Sequence, residues 1–189
     1  MNGPRIALLV AIVAFSAPAA GFEPAGIAAA TGSIEYAFTP GGDAAGLVVR
    51  TIDAARVQVL VQAFSFTHRD IADALIRAHR RGLDVQIIAD REQSDTLEST
   101  AMQSLVAAGV PVLLDAEHSA AHNKVIVIDR GSAQPVLITG SFNFTFAAQY
   151  RNAENVLVLR GNPELAQAFF ANWVLHREHA LAAHPKQSR

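Results

Sequence analysis

The pattern of hydrophobic and polar positions changes period several times along the chain, which predicts strands and helices in alternation. Apolar or alternating runs predict four strands in the first part of the chain, at 33–38, 57–64, 85–89 and 111–114. Apolar residues spaced three to four apart predict three intervening helices, at 43–55, from Thr67 or Asp70 to Arg81, and at 95–108. This order favours a mostly parallel sheet covered by helices on both faces.

Beyond residue 115 the predicted strands follow one another more closely. Two short strands are predicted at 123–128 and 136–139, with a hairpin-like link at 129–134. Another strand is predicted at 154–160, and Pro163 can begin a last helix that carries an apolar, partly aromatic face. The expected fold is therefore α/β, with a mixed, largely parallel β-sheet flanked by helices on both faces.

The first twenty residues have a composition of their own. Arg5 is their only charge, residues 6–15 are apolar, and Ala17-Pro18-Ala19 has the small residues of a cleavage site. This pattern predicts a signal peptide at 1–20 and a periplasmic or secreted protein without stable membrane insertion after cleavage. A buried N-terminal helix and an uncleaved anchor are the alternatives, although a membrane span needs ~20 apolar residues.

The remainder of the chain is expected to form one domain. Residues 21–32, rich in Ala and Gly, are predicted to be a flexible mature N-terminus, with the domain at 33–180 and a C-terminal tail at 181–189.

Composition excludes several classes of protein. With 51% hydrophobic residues the chain can bury a core and does not resemble a disordered protein. The absence of cysteine excludes disulfide scaffolds, thiolate zinc sites and iron–sulfur centres. The formal charge of −2 gives no global attraction for a polyanion, so any such ligand must be bound locally.

Candidate chemistry begins at His122 and Lys124, which share a face if they lie in a strand. A cation beside an imidazole is a poor choice for packing and a good one for binding phosphate next to a nucleophile or acid. The 15 basic residues include only two lysines, Lys124 and Lys186, which indicates that a compact ammonium is required at this position. Further along, Ser141 and Asn143 are two residues apart and would lie on the same face of a strand. Gly140 permits close approach of the backbone to a ligand.

The order His122-x-Lys124-x4-Asp129, Gly140-Ser141-x-Asn143 and Glu154 resembles the phospholipase D superfamily. It is most similar to the small, exported endonucleases with one motif per chain. The similarity extends from about Ile34 to Trp173 and includes further segments at 38–41, 63–67, 81–85 and 139–145. The resemblance implies a phospholipase D-like fold, with 33–180 as the catalytic domain.

The resemblance also implies roles for the motif residues. His122 would be the nucleophile, and Glu154 would accept the other ring N–H. Lys124 and Asn143 would bind phosphate oxygens, while Ser141 would hold a phosphate oxygen or its own loop. Asp129 is the acid of the motif. It lies an odd number of positions from Lys124, so in a strand the two side chains would point to opposite faces, which suggests a structural role for Asp129 at a strand end.

A single motif leaves the leaving oxygen without a proton donor, so the resemblance implies a homodimer with two His122 side chains in one cleft. No metal or other cofactor is then required. The expected activity is metal-independent hydrolysis of DNA or RNA by an endonuclease. The alternatives are hydrolysis of phospholipid head-group esters and a non-catalytic, polyanion-binding dimer.

Several other polar residues have two interpretations. Glu154 can be an exposed acid at the start of a strand, and Asp129 can simply begin a turn. His176 and His179, three apart on the last helix, can be a metal pair or surface residues, and His68 can line the cleft or lie exposed at a helix start. Arg77, Arg80 and Arg81 can form a solvated helix face or contact DNA.

Overall fold

The computed structural model of the protein describes residues 25–95 and 100–182. The predicted signal peptide at 1–20 therefore lies outside the described residues, as does the tail beyond residue 182. No helix within the described residues is both long enough and apolar enough to cross a membrane.

Eight strands form one sheet in the described part of the chain. They are β1 (Ser33–Thr39), β2 (Gln58–Ala63), β3 (Asp84–Asp90), β4 (Val112–Asp115), β5 (Lys124–Ile128), β6 (Val136–Gly140), β7 (Glu154–Arg160) and β8 (Leu181–Ala182). Their order across the sheet is β1-β7-β6-β5-β2-β3-β4-β8.

The sheet is mixed, which confirms the expected fold class, but the expectation of a largely parallel sheet is wrong. Only β2, β3 and β4 run parallel to one another, joined by helical crossovers. Strand β1 pairs antiparallel with β7 at the far edge instead of joining this parallel group. The successive strands β5, β6 and β7 also pair antiparallel, as closely spaced strands with short links can.

Six helices accompany the sheet in the described residues. They are α1 (Ala44–Asp53), α2 (Arg69–Arg80), α3 (Arg91–Asp95), α4 (Thr100–Ala107), α5 (Phe146–Tyr150) and α6 (Pro163–His179). The short helices α3 and α5 were not predicted as separate elements. The predicted helix at 95–108 corresponds mainly to α4.

Helices lie on both faces of the sheet, as expected, and the period-two pattern of the strands decides which residues each face receives. On one face the side chains of Val61, Ile87 and Ile126 pack against α1, α2 and α4 in the larger core cluster. On the other face their neighbours, such as Leu60 and Val127, pack against α6 and its buried Trp173. The single sheet thus separates two cores.

Polar side chains begin three of the helices. Asp43, Thr145 and Asn162 are the N-caps of α1, α5 and α6, and each side-chain oxygen accepts a hydrogen bond from a backbone N–H of the first turn. Asp43 is the first residue of the helix predicted at 43–55. These bonds satisfy donors that a helix start would otherwise leave without acceptors.

The ends of the domain differ in detail from their predicted limits. Residues 25–32 contain no helix or strand, but the Thr31 hydroxyl donates to the carbonyl of Gly161 (3.1 Å) and the Asn162 amide to that of Ala29 (2.7 Å). Residues 181–182, assigned to the tail, form β8 and pair with β4. Their inclusion extends the domain slightly beyond residue 180.

Candidate active site

One edge of the sheet collects the ends of several strands. Ala63 at the carboxyl end of β2 is paired with Ala89 of β3 and with Lys124 at the amino end of β5. Since β6 and β7 run antiparallel beside β5, the end of β6 and the start of β7 lie at the same edge. The loops that contain His122, Ser141 and Asn143 therefore meet beside this edge.

His122 and Lys124 are held together by a contact between them. His122 lies just before β5 and is exposed, whereas the Lys124 side chain is buried, with 7% of the residue exposed. The Lys124 ammonium donates to the backbone carbonyl of His122 (Nζ–O 2.8 Å). Lysine has three donors, so this bond fixes the ammonium and leaves donors for a ligand.

Phe64, the first residue after β2, supports both members of the pair. Its ring centroid is 4.3 Å from that of His122, with the planes inclined at 58°. The Lys124 ammonium lies 4.8 Å from the centroid of the same ring, a cation–π distance. One aromatic side chain thus orients the imidazole and receives the cation.

The charge state of Lys124 is influenced by two opposing effects. Burial lowers the pKa of the ammonium, because a charged group loses water there, and the nearby carboxylate of Glu154 acts in the opposite direction. Burial is the larger effect, so the pKa of Lys124 lies below its usual value, and the carboxylate of Glu154 limits the fall.

Backbone hydrogen bonds from the loop after β2 tie the other loops in place. The Phe64 N–H donates to the carbonyl of Asn123 (2.8 Å), and the N–H groups of Thr67 and His68 both donate to that of Phe144 (2.9 Å each). The first bond holds Asn123, which lies between His122 and Lys124. The others hold Phe144, which follows Asn143, so the loop after β2 supports both parts of the predicted motif.

Asp90 provides a second support for the loop that precedes His122. This residue ends β3 and is buried, with 2% exposed. One carboxylate oxygen accepts from the Ala121 N–H (2.7 Å) and the other from the Gln93 N–H (2.9 Å). The two neighbours of His122 in the chain, Ala121 and Asn123, are therefore both held by hydrogen bonds.

Ser141 serves its own loop in this structure. Its hydroxyl oxygen accepts from the backbone N–H and the side-chain amide of Asn155, at 3.1 and 3.3 Å. Gly140 has φ +145°, and a Cβ there would lie 2.4 Å from the Asn155 carbonyl oxygen. Among the described residues, the backbone that Gly140 approaches closely is that of β7.

Asn143 retains unused hydrogen-bonding capacity. Its Oδ1 atom is buried and has no hydrogen-bond partner among the described residues. A buried polar atom in this condition is unusual in a folded protein, where nearly all such atoms are paired. Oδ1 is thus an unsatisfied acceptor, and a phosphate oxygen could bind only to the Nδ2 donor of the same amide.

Glu154 is half-buried at the start of β7, beside the same edge. Its Oε1 accepts from the side-chain amide of Asn152 (3.0 Å). Within the described residues there is no hydrogen bond between Glu154 and the His122 ring, the contact that the resemblance implies. Its proximity to Lys124, seen in the effect on the ammonium, places it in the same cluster.

Asp129 lies at the opposite end of β5 from Lys124, so the structure does not bring it together with the other motif residues. Its carboxylate accepts the backbone N–H groups of Arg56, Val57 and Gln58, at 2.9, 2.8 and 2.9 Å. It also has a positive φ of 49°, a conformation that Asp tolerates better than most residues. Asp129 therefore has the structural position at a strand end that the sequence pattern indicated.

His68, for which an exposed helix start was one interpretation, is buried. It is 6% exposed at the N-cap of α2, and neither ring nitrogen has a hydrogen-bond partner among the described residues. Burial lowers the pKa of the imidazole, against a smaller opposite effect from Asp70. The ring lines a pocket together with Phe146 and Tyr150.

His176 and His179 are not independent surface residues. Both converge on Asp115, the last residue of β4, where His118 joins them. Burial alone would raise the pKa of Asp115, but hydrogen bonds from His176, His118 and His179 outweigh it and hold that pKa well below its usual range. The cluster is separate from His122 and Lys124.

Of the three arginines at the C-terminal end of α2, which are Arg77, Arg80 and the C-cap Arg81, two are engaged within the fold. Arg77 forms a two-bond ion pair with Asp53 (3.0 and 2.8 Å), and Arg81 donates to the carbonyls of Ile52 and Ala55. Arg80 is exposed. The contacts of Arg77 and Arg81 join α2 to α1.

Sequence reasoning gave no role to Phe64, Asp90, Asp115 or His118. A signal for the two aspartates was present, because each ends a predicted parallel strand and such strand ends meet at one edge of a sheet. The role of Phe64 depends on the pairing of β2 with β5, which the order of elements does not predict.

Comparisons with known proteins agree with this geometry. The family model "Cardiolipin synthase, PLD-like domain" matches residues 48–173. A phospholipase D from Rickettsia felis is 38% identical over 141 residues, 75% of this chain and 68% of that protein. A mitochondrial cardiolipin hydrolase from Chlamydomonas reinhardtii is 33% identical over 140 residues, 71% of this chain and 57% of that protein.

Among solved structures, the chain is similar to Nuc from Salmonella typhimurium, a phospholipase D family member. The identity is 34% and the TM-score 0.76, over 81% of this chain and 99% of Nuc. The match therefore covers most of this chain and nearly all of Nuc.

Proposed function

The chain belongs to the phospholipase D superfamily and is a phospholipase D-like phosphodiesterase, and we propose that it is an endonuclease acting through a phosphohistidine at His122. The observation that carries this proposal is the buried ammonium of Lys124 bound to the carbonyl of His122, with both side chains against Phe64. A fixed positive charge beside an exposed imidazole suits attack on a phosphodiester.

In the first step, a ring nitrogen of His122 attacks phosphorus. A P–N bond forms, the bond from phosphorus to the leaving oxygen breaks, and an acid gives that oxygen a proton. Water then attacks the phosphohistidine and gives a proton to the base that the acid has become. The P–N bond breaks, which releases the phosphomonoester and restores the imidazole. Lys124 and Asn143 bind the non-bridging oxygens, where negative charge must be stabilised in the transition state.

The remaining motif residues hold this arrangement. Glu154 accepts the second ring N–H of His122 during the reaction, after its carboxylate has exchanged its bond from Asn152 for one from the imidazole. Ser141 fixes the loop through Asn155. The reaction uses no metal or other cofactor, since imidazole and ammonium groups supply both the nucleophile and the positive charge.

The proton donor comes from a second copy of the chain. One chain carries one motif, and a two-fold interface places the same residue of both copies near the axis. We therefore propose a homodimer in which one His122 is the nucleophile and the second is the acid. Its location, by the composition of residues 1–20, is the periplasm or the exterior of the cell.

Nucleic acid is the substrate class that the exposed aromatic residues favour. Phe146 and Tyr150 are largely exposed, with ring centroids 4.4 Å apart, and they share a pocket with His68 and Arg69. Exposed rings beside a cation can stack on unpaired bases and contact the backbone phosphate. The pocket adjoins the loops that hold Asn143, because His68 is bound to Phe144.

A phospholipid is the alternative substrate, and the names of the Rickettsia and Chlamydomonas relatives favour it. The two substrates share one chemistry, because each contains a phosphodiester. They differ in what surrounds the phosphate, which is stacked bases in one case and a lipid surface in the other.

The test assays both substrates side by side, in excess chelator. Wild type and His122→Asn are given single-stranded DNA, RNA, and vesicles of phosphatidylcholine with cardiolipin. We expect the wild type to cleave nucleic acid, with a loss of at least about a thousandfold in His122→Asn, as for removal of a nucleophile. Head-group release without cleavage of nucleic acid would establish the lipid alternative, and equal activity of both proteins would overturn the mechanism.

A further inference from the structure

Asp115 and three histidines form a compact cluster that the proposed hydrolysis does not use. Asp115 ends β4, His118 follows in the next loop, and His176 and His179 lie on the last turn of α6. The side chain of Asp115 is wholly buried, and those of His176 and His179 are 13% and 29% exposed. These four residues are called the Asp115 cluster below.

Four possible ligand atoms of the Asp115 cluster lie around one point. The Oδ2 atom of Asp115 is 2.7 Å from Nδ1 of His176, 3.1 Å from Nδ1 of His118 and 3.3 Å from Nε2 of His179. One such atom from each residue can be chosen so that all lie within 4.8 Å of one another. In a tetrahedral zinc site with bonds of about 2.0 Å, ligand atoms are about 3.3 Å apart, close to two of these separations.

The second oxygen of Asp115 is held by the backbone, whereas Oδ2 contacts imidazole nitrogens, the groups that would bind a metal together with it. Its Oδ1 atom accepts from the backbone N–H of Glu117 at 3.1 Å. A backbone bond of this kind fixes the orientation of a ligating carboxylate, as contacts outside the ligand set do in metal sites.

The arrangement is difficult to explain by packing alone. The three imidazole rings have centroid separations of 4.8, 5.2 and 5.5 Å and share one carboxylate. A neutral imidazole has a lone pair on one nitrogen, and three such rings around a carboxylate provide a nitrogen-rich donor set with one negative charge. Imidazole is a preferred ligand of zinc and of other late divalent transition metals, whereas calcium and magnesium prefer oxygen.

We propose that Asp115, His118, His176 and His179 bind one zinc ion in a closed, structural site. Four protein ligands complete a tetrahedral coordination and leave no position for substrate, which is typical of structural zinc. The ion would join the end of β4, the following loop and the last turn of α6.

The position of the cluster indicates what such an ion does. His118 lies four residues before His122, in the loop whose other end is held by Asp90 through Ala121. The cluster is at the same edge of the sheet as Lys124 but three strands away, which corresponds to roughly 14 Å at ~4.8 Å per strand. Zinc therefore stabilises the loop that leads to His122 without taking part in hydrolysis.

Metal content tests the site directly. Protein without an affinity tag is stripped with chelator, dialysed against a slight excess of Zn²⁺ and then against buffer, and its zinc is measured. We expect one equivalent in wild type, in His122→Asn and in the matched control His79→Gln, which changes a histidine of α2. His176→Gln/His179→Gln should retain less than about a tenth of this, since it loses two of four ligands.

Thermal unfolding provides an independent measurement. Zinc should raise the unfolding temperature of stripped wild type and of His79→Gln but not that of the double variant, because only a ligand bound to the folded state stabilises it. If the double variant does not fold, His118→Gln replaces it, since His118 lies in a loop with its side chain 46% exposed, so its replacement disturbs α6 less than changes within that helix.

Two results would overturn the proposal. Zinc content in wild type no higher than in the double variant or in folded His118→Gln would show that the cluster binds none. Loss of the zinc in His122→Asn would place the ion at the other site. Neither result depends on hydrolysis, so the zinc site and the proposed enzymatic function succeed or fail separately.

Discussion

At the scale of single residues, Lys124 meets two requirements that usually conflict. A phosphate site needs a positive charge at a fixed point, and burial of a charge is costly unless polar groups compensate for it. The His122 carbonyl, the ring of Phe64 and the carboxylate of Glu154 supply that compensation. Replacement by arginine would keep the charge but not the compact shape that fits this position.

The sequence predicted His122, Lys124 and Asn143 through spacing and resemblance, because these residues are close in the chain or in strands that follow one another. Phe64 could not be predicted in this way. Its contact with His122 depends on the antiparallel pairing of β2 with β5, and sixty residues separate the two strands along the chain. The parity argument correctly separated Asp129 from Lys124, since it depends only on the period of one strand.

His68 gives a prediction at this scale. Burial lowers the pKa of His68 in the folded protein, so below about pH 6.5 the unfolded state binds a proton that the folded state does not. Stability from this residue is thus present above that pH and decreases as the pH falls through it. The carboxylate of Asp70 opposes the effect, and Arg69 and Tyr150 line the same pocket.

The measurement compares wild type with His68→Gln by urea unfolding between about pH 7.5 and 5.5, the range in which histidine titrates. We expect the free energy of unfolding to fall less steeply with decreasing pH in the variant. Other histidines contribute equally to both proteins. An identical pH dependence would show that the imidazole of His68 titrates in the same way in the folded and unfolded protein.

At the scale of elements, the loops after β2, β3, β4 and β6 build the site, and the contacts of Asp129 hold the opposite edge of the sheet. The sequence predicted these strands and their connecting helices well, because alternating patterns and Gly82 and Gly109 delimit them. It did not predict the partner of β1. Pairing of an edge strand depends on which other strand has a free edge, and that is a property of the assembled sheet.

The prediction at the scale of elements concerns the role of Asp129 in stability. It joins the end of β5 to the turn between α1 and β2, and Asp129→Ala leaves three backbone N–H groups without their acceptor. We expect the free energy of unfolding to fall by about 1–3 kcal/mol, the cost of losing charge-assisted bonds at a partly exposed site. Asp129→Asn, which keeps one acceptor oxygen and tolerates the positive φ, should lose less.

Urea denaturation of the three proteins measures this loss, and kcat at a temperature where all are folded measures the role in catalysis. Since Asp129 lies at the far end of β5 from Lys124, kcat should stay within about twofold of wild type, a difference of less than about 0.5 kcal/mol in the barrier. A fall in kcat of a hundredfold with unchanged stability would assign Asp129 to the catalytic groups instead.

At the scale of the whole molecule, one sheet carries two separate proposed sites along a single edge. The proposed phosphate site lies at β5 and its neighbours, and the Asp115 cluster lies at β4, where α6 crosses the other face. The loop at 116–123 joins them, with His118 near one end and His122 near the other. The sequence indicated the first site strongly and the second only through the spacing of His176 and His179, since Asp115 is 61 residues from His176.

The proposed dimer leads to a prediction that a monomeric enzyme would not satisfy. If each reaction needs His122 from two copies, a mixed dimer of wild type and His122→Asn lacks either the nucleophile or the acid and is inactive. Random pairing of equal amounts leaves about a quarter of the dimers with both histidines. The activity of the mixture should then be about a quarter of that of the same total amount of wild-type protein. If each chain acted alone, it would be about a half.

The two chains are unfolded together in urea and refolded, so that pairing is random, and hydrolysis of single-stranded DNA is compared with that of wild type refolded alone. A control mixes the two proteins after separate refolding, where dimers persist and about half of the activity should remain. The difference between the two mixtures isolates the effect of shared dimers from that of dilution. Half of the activity in both mixtures would mean that each chain carries out hydrolysis with its own residues, and the proton donor would then have to lie within one chain.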